Sequence, residues 1–422
     1  MGRILRLVLA GLLAGCALSG VVRLYAPVEG NDRQLAFLRE RLEHGAGEDA
    51  QGLFPEGYFF LHVLYGLASA DTGHLADARW ALSKLDGAEG RAPFAEGLAP
   101  RYGVFYAGWT NWLRGRILSR ERDAGELRRF DDESRAIAAA FDASPTPFLP
   151  AYPGQAWPVD STVAIASLRL HDELAGETFG ATVRRWVGRA RERLDPATGL
   201  LPHVVDPVTG DALQGARGSS QSVILRFLPS VDNDFAREQY RTFRARFVVR
   251  PLGLGPAVRE YPKGTDGAAD VDSGPLPLGV SLSATVVAVG AARVNGDLGL
   301  ADAMERYGEF AGVPMNTLTT KRYALGLLPI GDAFLVWAHT AEAGPEQPGG
   351  GIGALWRLPL TILLLLVGAG PWLGRIRQQR RHRTDEGGVV EVVVPEGLQD
   401  QALVDGDEDA GEGRRVRGRS GQ

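Results

Sequence analysis

The residues best suited to acid/base chemistry in this chain are carboxylates that adjoin stretches too apolar to be left in water. Asp160 ends the loop Tyr152-Pro-Gly-Gln-Ala-Trp-Pro-Val-Asp160 and leads into the apolar run 162–170. Glu260, Asp270 and Asp272 fall in a second loop, Glu260-Tyr-Pro-Lys-Gly-Thr-Asp-Gly-Ala-Ala-Asp-Val-Asp-Ser273, ahead of the apolar run 280–294. A carboxylate in such a place has two roles open to it. It can cap the helix by accepting from free backbone N–H groups, or it can lie in a pocket whose low polarity shifts its pKa. Carboxylates in unlike surroundings separate into an acid and a base, as general acid/base catalysis and glycoside hydrolysis both require. Asp160, Glu260 and Asp272 are therefore the candidate catalytic residues.

The same loops supply candidate ligand contacts. Tyr58, Tyr152 and Trp157 offer aromatic surface, although aromatics are also common core material. His203 follows the turn in Asp195-Pro-Ala-Thr-Gly-Leu-Leu-Pro-His203, and Arg217 and Gln221 bound the segment Arg217-Gly-Ser-Ser-Gln221. Asp270 completes the set. Asp270-Val-Asp272-Ser273 has oxygen ligands of the kind calcium prefers, but not the spacing of an EF-hand, so no metal is expected. The chain has no Gly-rich phosphate loop, Gly-x-Ser-x-Gly elbow or His-Glu-x-x-His pair, and no cofactor is expected. A net charge of -5 and the lack of a basic stripe with interleaved aromatics argue against a nucleic-acid partner. The single cysteine, Cys16, excludes an internal disulfide framework and a cysteine-rich zinc site.

The elements that hold these loops read as helices throughout residues 25–343. Some are amphipathic, as at Phe179, Val183, Trp186, Val187, Ala190 and Leu194, with Arg184, Arg185, Arg189 and Arg191 on the opposite face. Others, at 162–170, 280–294 and 324–338, are apolar on every side and must be buried on every side. The spacing predicts helices starting near 33, 57, 74, 101, 122, 160, 178, 219, 233, 280, 298 and 323. An apolar helix followed by an amphipathic one, repeated, suits an inner ring and an outer ring. The expected fold is all-α, an (α/α)6 toroid; a helical solenoid would need a fixed repeat that the sequence lacks. In a toroid the Gly/Pro-rich loops converge on one mouth, where a pocket forms.

Both ends of the chain point to a membrane. Residues 1–24 open with Arg3 and Arg6, continue through apolar residues 7–15 and reach Leu13-Ala14-Gly15-Cys16. This is the layout of a signal peptide, with a lipobox that would lipidate Cys16, or of an uncleaved anchor helix. A Gly/Pro linker at 344–351 precedes the apolar segment 352–374, long enough at about 1.5 Å per residue to cross the roughly 30 Å hydrocarbon core. Arg375, Arg377, Arg380, Arg381 and Arg383 follow it, which places the tail in the cytoplasm and residues 25–343 outside the cytoplasmic membrane. The tail, 375–422, turns acidic and Gly-rich and is expected to be disordered. The lipid bilayer is thus one expected partner.

Several stretches resemble the linalool dehydratase-isomerase family of exported (α/α)6 enzymes. They are Tyr58-Phe-Phe-Leu-His-Val-Leu-Tyr-Gly-Leu-Ala-Ser69, residues 161–174 with their Leu-His-Asp-Glu-Leu ending, Leu194-Asp-Pro-Ala-Thr-Gly199, residues 232–247, Arg259-Glu260, and the acidic loop 264–274. They cover residues 55–340 in patches and in the family's order. The resemblance implies the toroid fold and a lyase or isomerase activity. The family's two pocket cysteines fall here at Ala151 and Asp160, and its pocket histidine at Phe105, so its thiol chemistry does not carry over.

These readings converge on a membrane-anchored toroid that uses carboxylates for acid/base chemistry, of lyase or isomerase type, on a small molecule. The alternatives are a glycan-active hydrolase or epimerase of toroid type, and a non-catalytic envelope protein that binds a ligand.

Overall fold

The computed structural model describes residues 2–347 and 352–386; most of the expected linker's Gly/Pro run and the tail beyond 386 lie outside the described residues. In chain order the first helices are α1 (Gly2–Tyr25), α2 (Asn31–Glu43), α3 (Ala46–Leu53), α4 (Gly57–Asp71), α5 (Leu75–Leu85), α6 (Ala88–Arg91), α7 (Gly103–Arg120) and α8 (Ala124–Ala143). They are followed by α9 (Pro158–Ala175), α10 (Gly180–Arg191), α11 (Gly218–Val231), α12 (Asn233–Phe247), α13 (Leu282–Val294), α14 (Leu298–Ala311), α15 (Pro329–His339) and α16 (Arg357–Glu386). Short antiparallel hairpins join β1 (Val204–Val205) to β2 (Ala212–Gln214), β3 (Val248–Val249) to β4 (Ala257–Val258), and β5 (Met315–Asn316) to β6 (Lys321–Arg322). The protein is all-α in class. Among the described residues, those up to 369 form one compact unit, and the end of α16 beyond it groups separately.

Six helices are apolar almost all round, and they pack on one another. α4 packs on α7, α7 on α9, α9 on α11, α11 on α13, α13 on α15, and α15 returns to α4. Their side chains are buried along nearly the whole length, as in α4, where Phe59, Leu61, Val63, Leu64 and Ala68 are inaccessible. The amphipathic helices lie outside them, α5 on α4, α8 on α7, α12 on α11 and α14 on α13. On α10, Val183, Trp186 and Val187 face inward while Arg184 and Arg185 face solvent, as the 3.6-residue period demands.

Between the six inner helices the space is filled with rings. Trp109 meets Phe227 at 5.3 Å and Trp337 at 5.7 Å, and Phe60 meets Phe334 at 5.7 Å, which ties α15 back to α4. The ends of the helices differ. At their C-terminal end, Asp71 pairs with Arg116 at 2.7 Å, while Arg116 and Arg120 share Glu342 at 3.2 and 2.8 Å. The N-terminal end carries the long loops. The sequence pattern places most helix starts within three residues; the exception is the last, which begins at Pro329 rather than near 323. There Ala324–Gly326 forms a separate 3-10 turn with Leu325 at φ 62°, and Pro329 fixes the first helical turn. Helices α3 and α6, too short for a periodic signal, are additional to the reading.

Candidate functional site

The loops at the N-terminal end of the inner helices are held by close backbone approaches that need glycine. Gly103, with φ +86°, opens α7 where a Cβ would stand 2.3 Å from the Ala151 carbonyl oxygen. Gly218 opens α11 where a Cβ would stand 2.1 Å from the Arg259 carbonyl oxygen. Its N–H donates to the Glu260 carbonyl at 2.8 Å, so the acidic loop is pinned against the first turn of α11. On the other side of α11's start, Asp195 accepts from Ala216 N at 3.2 Å and from Thr198 Oγ1 at 2.6 Å, which fixes the approach to Arg217.

Asp160 is not a helix cap. α9 starts at Pro158 with Trp157 at the cap position, so Asp160 is the third helical residue and makes no capping bond. Its carboxyl is almost wholly buried and has no hydrogen-bond partner among the described residues. Burial, then the charges of Asp272 and Glu56, push its pKa well above the ordinary aspartate value. Asp272 is an exposed residue, although neighbouring atoms desolvate its carboxyl. Burial and then Asp270 raise it to about 6, against the pull of Arg217.

Glu56 belongs to the same set and was not picked out from the sequence. It accepts a short hydrogen bond from Tyr152 Oη, whose own proton is held more tightly by burial and then by Glu56. The usable signal was Glu56's position immediately before the apolar helix α4, the same position that marked Asp160. Tyr152 meets Trp157 edge-on at 5.8 Å and stacks on Phe94 at 5.9 Å, which in turn stacks on Phe105 at 5.3 Å. A continuous row of rings thus leads from the carboxyls into the aromatic centre.

Arg217 organises the other half. Its Nε donates to Glu260 Oε1 at 2.7 Å and its Nη1 to Asp270 Oδ2 at 2.5 Å, and Tyr261 lies under the guanidinium at 5.2 Å. Glu260 is completely buried and also accepts from Ser219 N at 3.1 Å and Ser219 Oγ at 2.7 Å. Both oxygens of Glu260 are engaged, so it differs from the free acid or base expected of it and instead holds Arg217 and the first turn of α11. Asp270, although partly desolvated, is held below the usual range by Arg217 and Ser273. Asp272 is left without a side-chain hydrogen bond among the described residues. Arg217 Nη2 is buried and has no hydrogen-bond partner among the described residues.

The remaining candidates fall in different places. His203 is buried, bonded through Nδ1 to Ser220 Oγ, and lowered to about 4 by burial and then by Arg217, so it is neutral at pH 7. Gln221 donates to the Leu201 carbonyl at 2.7 Å and keeps its buried Oε1 unpartnered. Tyr58 is packed on His62 at 4.1 Å beneath Gly47, between α3 and α4, and is not joined to the carboxyls. Cys16 lies on the exposed face of α1. Among the described residues no group of three or more His, Cys, Asp or Glu side chains is arranged to hold a metal ion.

What the arrangement offers chemically is a desolvated carboxyl, Asp160, whose pKa is pushed well above the ordinary aspartate value, near a second, Asp272, raised to about 6, with aromatic rings at Tyr152 and Trp157 and the guanidinium of Arg217 in the same set of loops. Comparison with protein-family models and with curated proteins finds no match to the chain.

Proposed function

We propose that this chain is a membrane-anchored acid/base enzyme of lyase or isomerase type, acting on a small, largely apolar molecule that bears a hydroxyl group. The single observation that carries this reading is the Asp160 carboxyl, buried without a hydrogen-bond partner among the described residues and near enough to Asp272 for that charge to help push its pKa well above the ordinary aspartate value. In the proposed step Asp160 donates its proton to the substrate hydroxyl, the C–O bond breaks, and water leaves. Asp272 takes a proton from the neighbouring carbon, whose electron pair becomes the new C=C bond. Arg217 Nη2 and Tyr152 orient the oxygen, and the rings at Trp157, Tyr152 and Phe94 take the hydrocarbon.

The proposed fold is an (α/α)6 toroid akin to linalool dehydratase-isomerase. It is supported by the cyclic packing order of α4, α7, α9, α11, α13 and α15 and by the amphipathic helices outside them. Two helices, Ile4–Tyr25 and Ala354–Trp372, are long and apolar enough to cross a membrane. With the arginines after residue 374, they support anchoring in the cytoplasmic membrane with the helical unit outside. A second reading, a ligand-binding protein without catalysis, is favoured by the full pairing of Glu260 and Asp270 with Arg217.

The test is to incubate the purified protein with a panel of short prenyl and other apolar alcohols and detect alkenes and isomerised alcohols by gas chromatography. Turnover that disappears in both Asp160→Asn and Asp272→Asn supports the enzyme. Binding without turnover, unchanged in both variants, supports the second reading.

A further inference from the structure

The turns around the mouth of the inner helices are tipped with leucine. Pro251–Gly253, Pro277–Gly279 and Ala324–Gly326 are single 3-10 turns whose central residues, Leu252, Leu278 and Leu325, have φ of 53°, 55° and 62°. Such a backbone is uncommon for leucine and normally draws Gly or Asn. The three side chains are 82%, 64% and 60% exposed, and Leu318, at the tip of the β5–β6 hairpin, is 99% exposed. One exposed leucine needs no explanation, but a group raised on one arc by strained turns calls for an apolar partner.

That arc is also where two apolar helices leave the helical unit. Arg357 pairs with Asp302 near the start of α14 at 2.8 Å, and Leu24 and Leu360 pack on Ala303. Further along α14, a methyl placed on Gly20 would stand 3.3 Å from Phe310 and 3.2 Å from Leu364, and one on Gly368 would stand 3.1 Å from Ala17. Contacts therefore advance along α14 while α16 runs forward and α1 runs backward. The two helices are antiparallel, joined through small residues as membrane helices commonly are, and they pass the C-terminal end of α14. That end feeds the loop 312–328, which carries Leu318 and Leu325 and leads into the N-terminus of α15. On the outward faces of the pair, Leu9, Leu12, Ile362 and Leu366 are 55%, 61%, 56% and 59% exposed.

We propose that the mouth of the inner helices rests on the outer surface of a lipid bilayer, with the Leu252, Leu278 and Leu325 turns sunk into it beside a retained two-helix hairpin of α1 and α16. The exposed leucines of the hairpin and of the three turns all call for an apolar medium, and a bilayer supplies it to both. Ligand then reaches Asp160 and Asp272 from the lipid, which suits an apolar alcohol. This rests on the reading of α1 and α16 as membrane helices, and the experiment tests that separately.

Full-length protein carrying Cys16→Ser receives one cysteine at a time, by Leu252→Cys, Leu278→Cys, Leu325→Cys, Leu363→Cys in α16, or Asp234→Cys at the opposite end of the inner helices. Each is labelled with an environment-sensitive fluorophore and reconstituted into phosphatidylcholine vesicles with or without brominated acyl chains. The expected result is that labels at 252, 278, 325 and 363 lose most of their emission to bromine, and the label at 234 loses none. Quenching at 363 without quenching at the three turns overturns the apposition of the mouth. No quenching at 363 overturns the membrane reading of the helices and the apposition with it.

Discussion

Asp160 and Asp272 are both aspartates on the loop side of inner helices, and their surroundings raise the pKa of both. For Asp272 the unfolded chain loses its proton near pH 3.8 and the folded chain near pH 6, so the folded state binds the proton more tightly. Its folding penalty is absent below pH 3.8, develops as pH rises to about 6, and persists above. Asp160 acts in the same direction and further. Asp160→Asn should therefore stabilise the protein at pH 8, by on the order of 1–2 kcal/mol, and less at pH 4, as thermal melts at the two pH values will read. A gain that is equal at both pH values would show that Asp160 is not held protonated. The same pair predicts that turnover rises with pH as Asp272 ionises near pH 6 and falls again where Asp160 loses its proton, a bell measured in kcat/KM. Arg217→Ala is the opposite case. It leaves Glu260 buried without its cation and should cost about 3–5 kcal/mol, read by denaturant unfolding. Asp160 was visible in the sequence because a charge beside an apolar helix is conspicuous. Glu56 was not, because Pro-Glu-Gly looks like an ordinary turn until Tyr152 is brought against it from nearly a hundred residues away.

Helix positions were legible for the reason the inner helices are stable, since each needs a run of apolar residues of one turn after another. What periodicity does not show is how the loops cross the helix starts. Gly218 reads as a neutral loop glycine, yet it is the point where the Arg259–Glu260 backbone crosses α11. Gly218→Ala must push that backbone away, which breaks the Gly218–Glu260 bond and loosens the grip of Glu260 on Arg217. The expected outcome is a loss of about 1–3 kcal/mol together with a fall in turnover. Serine at the neighbouring position 219 acts through its hydroxyl, so Ser219→Ala should affect Glu260 without moving the backbone. If Gly218→Ala lowers stability no more than Ser219→Ala does, the crossing is softer than the geometry indicates. The α15 start was misplaced for a related reason: 324–328 is apolar enough to extend the helix, but Leu325 is spent on an outward turn.

For the molecule as a whole, the sequence left the fate of α1 open between a removed signal and a retained helix. Packing bears on this, because Leu24 is inaccessible between Trp356, Leu360 and Ala303, and Tyr25 Oη meets Thr361 Oγ1 at 3.1 Å. Arg306 also bonds to the carbonyls of Tyr25 and Ala26. A hairpin built this way brings Ala17 against Gly368, whose Cβ position is 3.1 Å from the Ala17 Cβ. Two cysteines whose Cβ atoms come within about 4.5 Å can form a disulfide without moving the backbone. The double variant Ala17→Cys, Gly368→Cys should therefore cross-link within the chain in native membranes when a mild oxidant is added. Cys16 stays in place, so lipobox processing remains possible, and it faces away from α16. A retained α1 gives an intact mass and a reducible internal cross-link. Cleavage before Cys16 removes residues 1–15, so a chain lighter by that segment, or an intact chain with no cross-link, would show that the α1–α16 pair does not survive export.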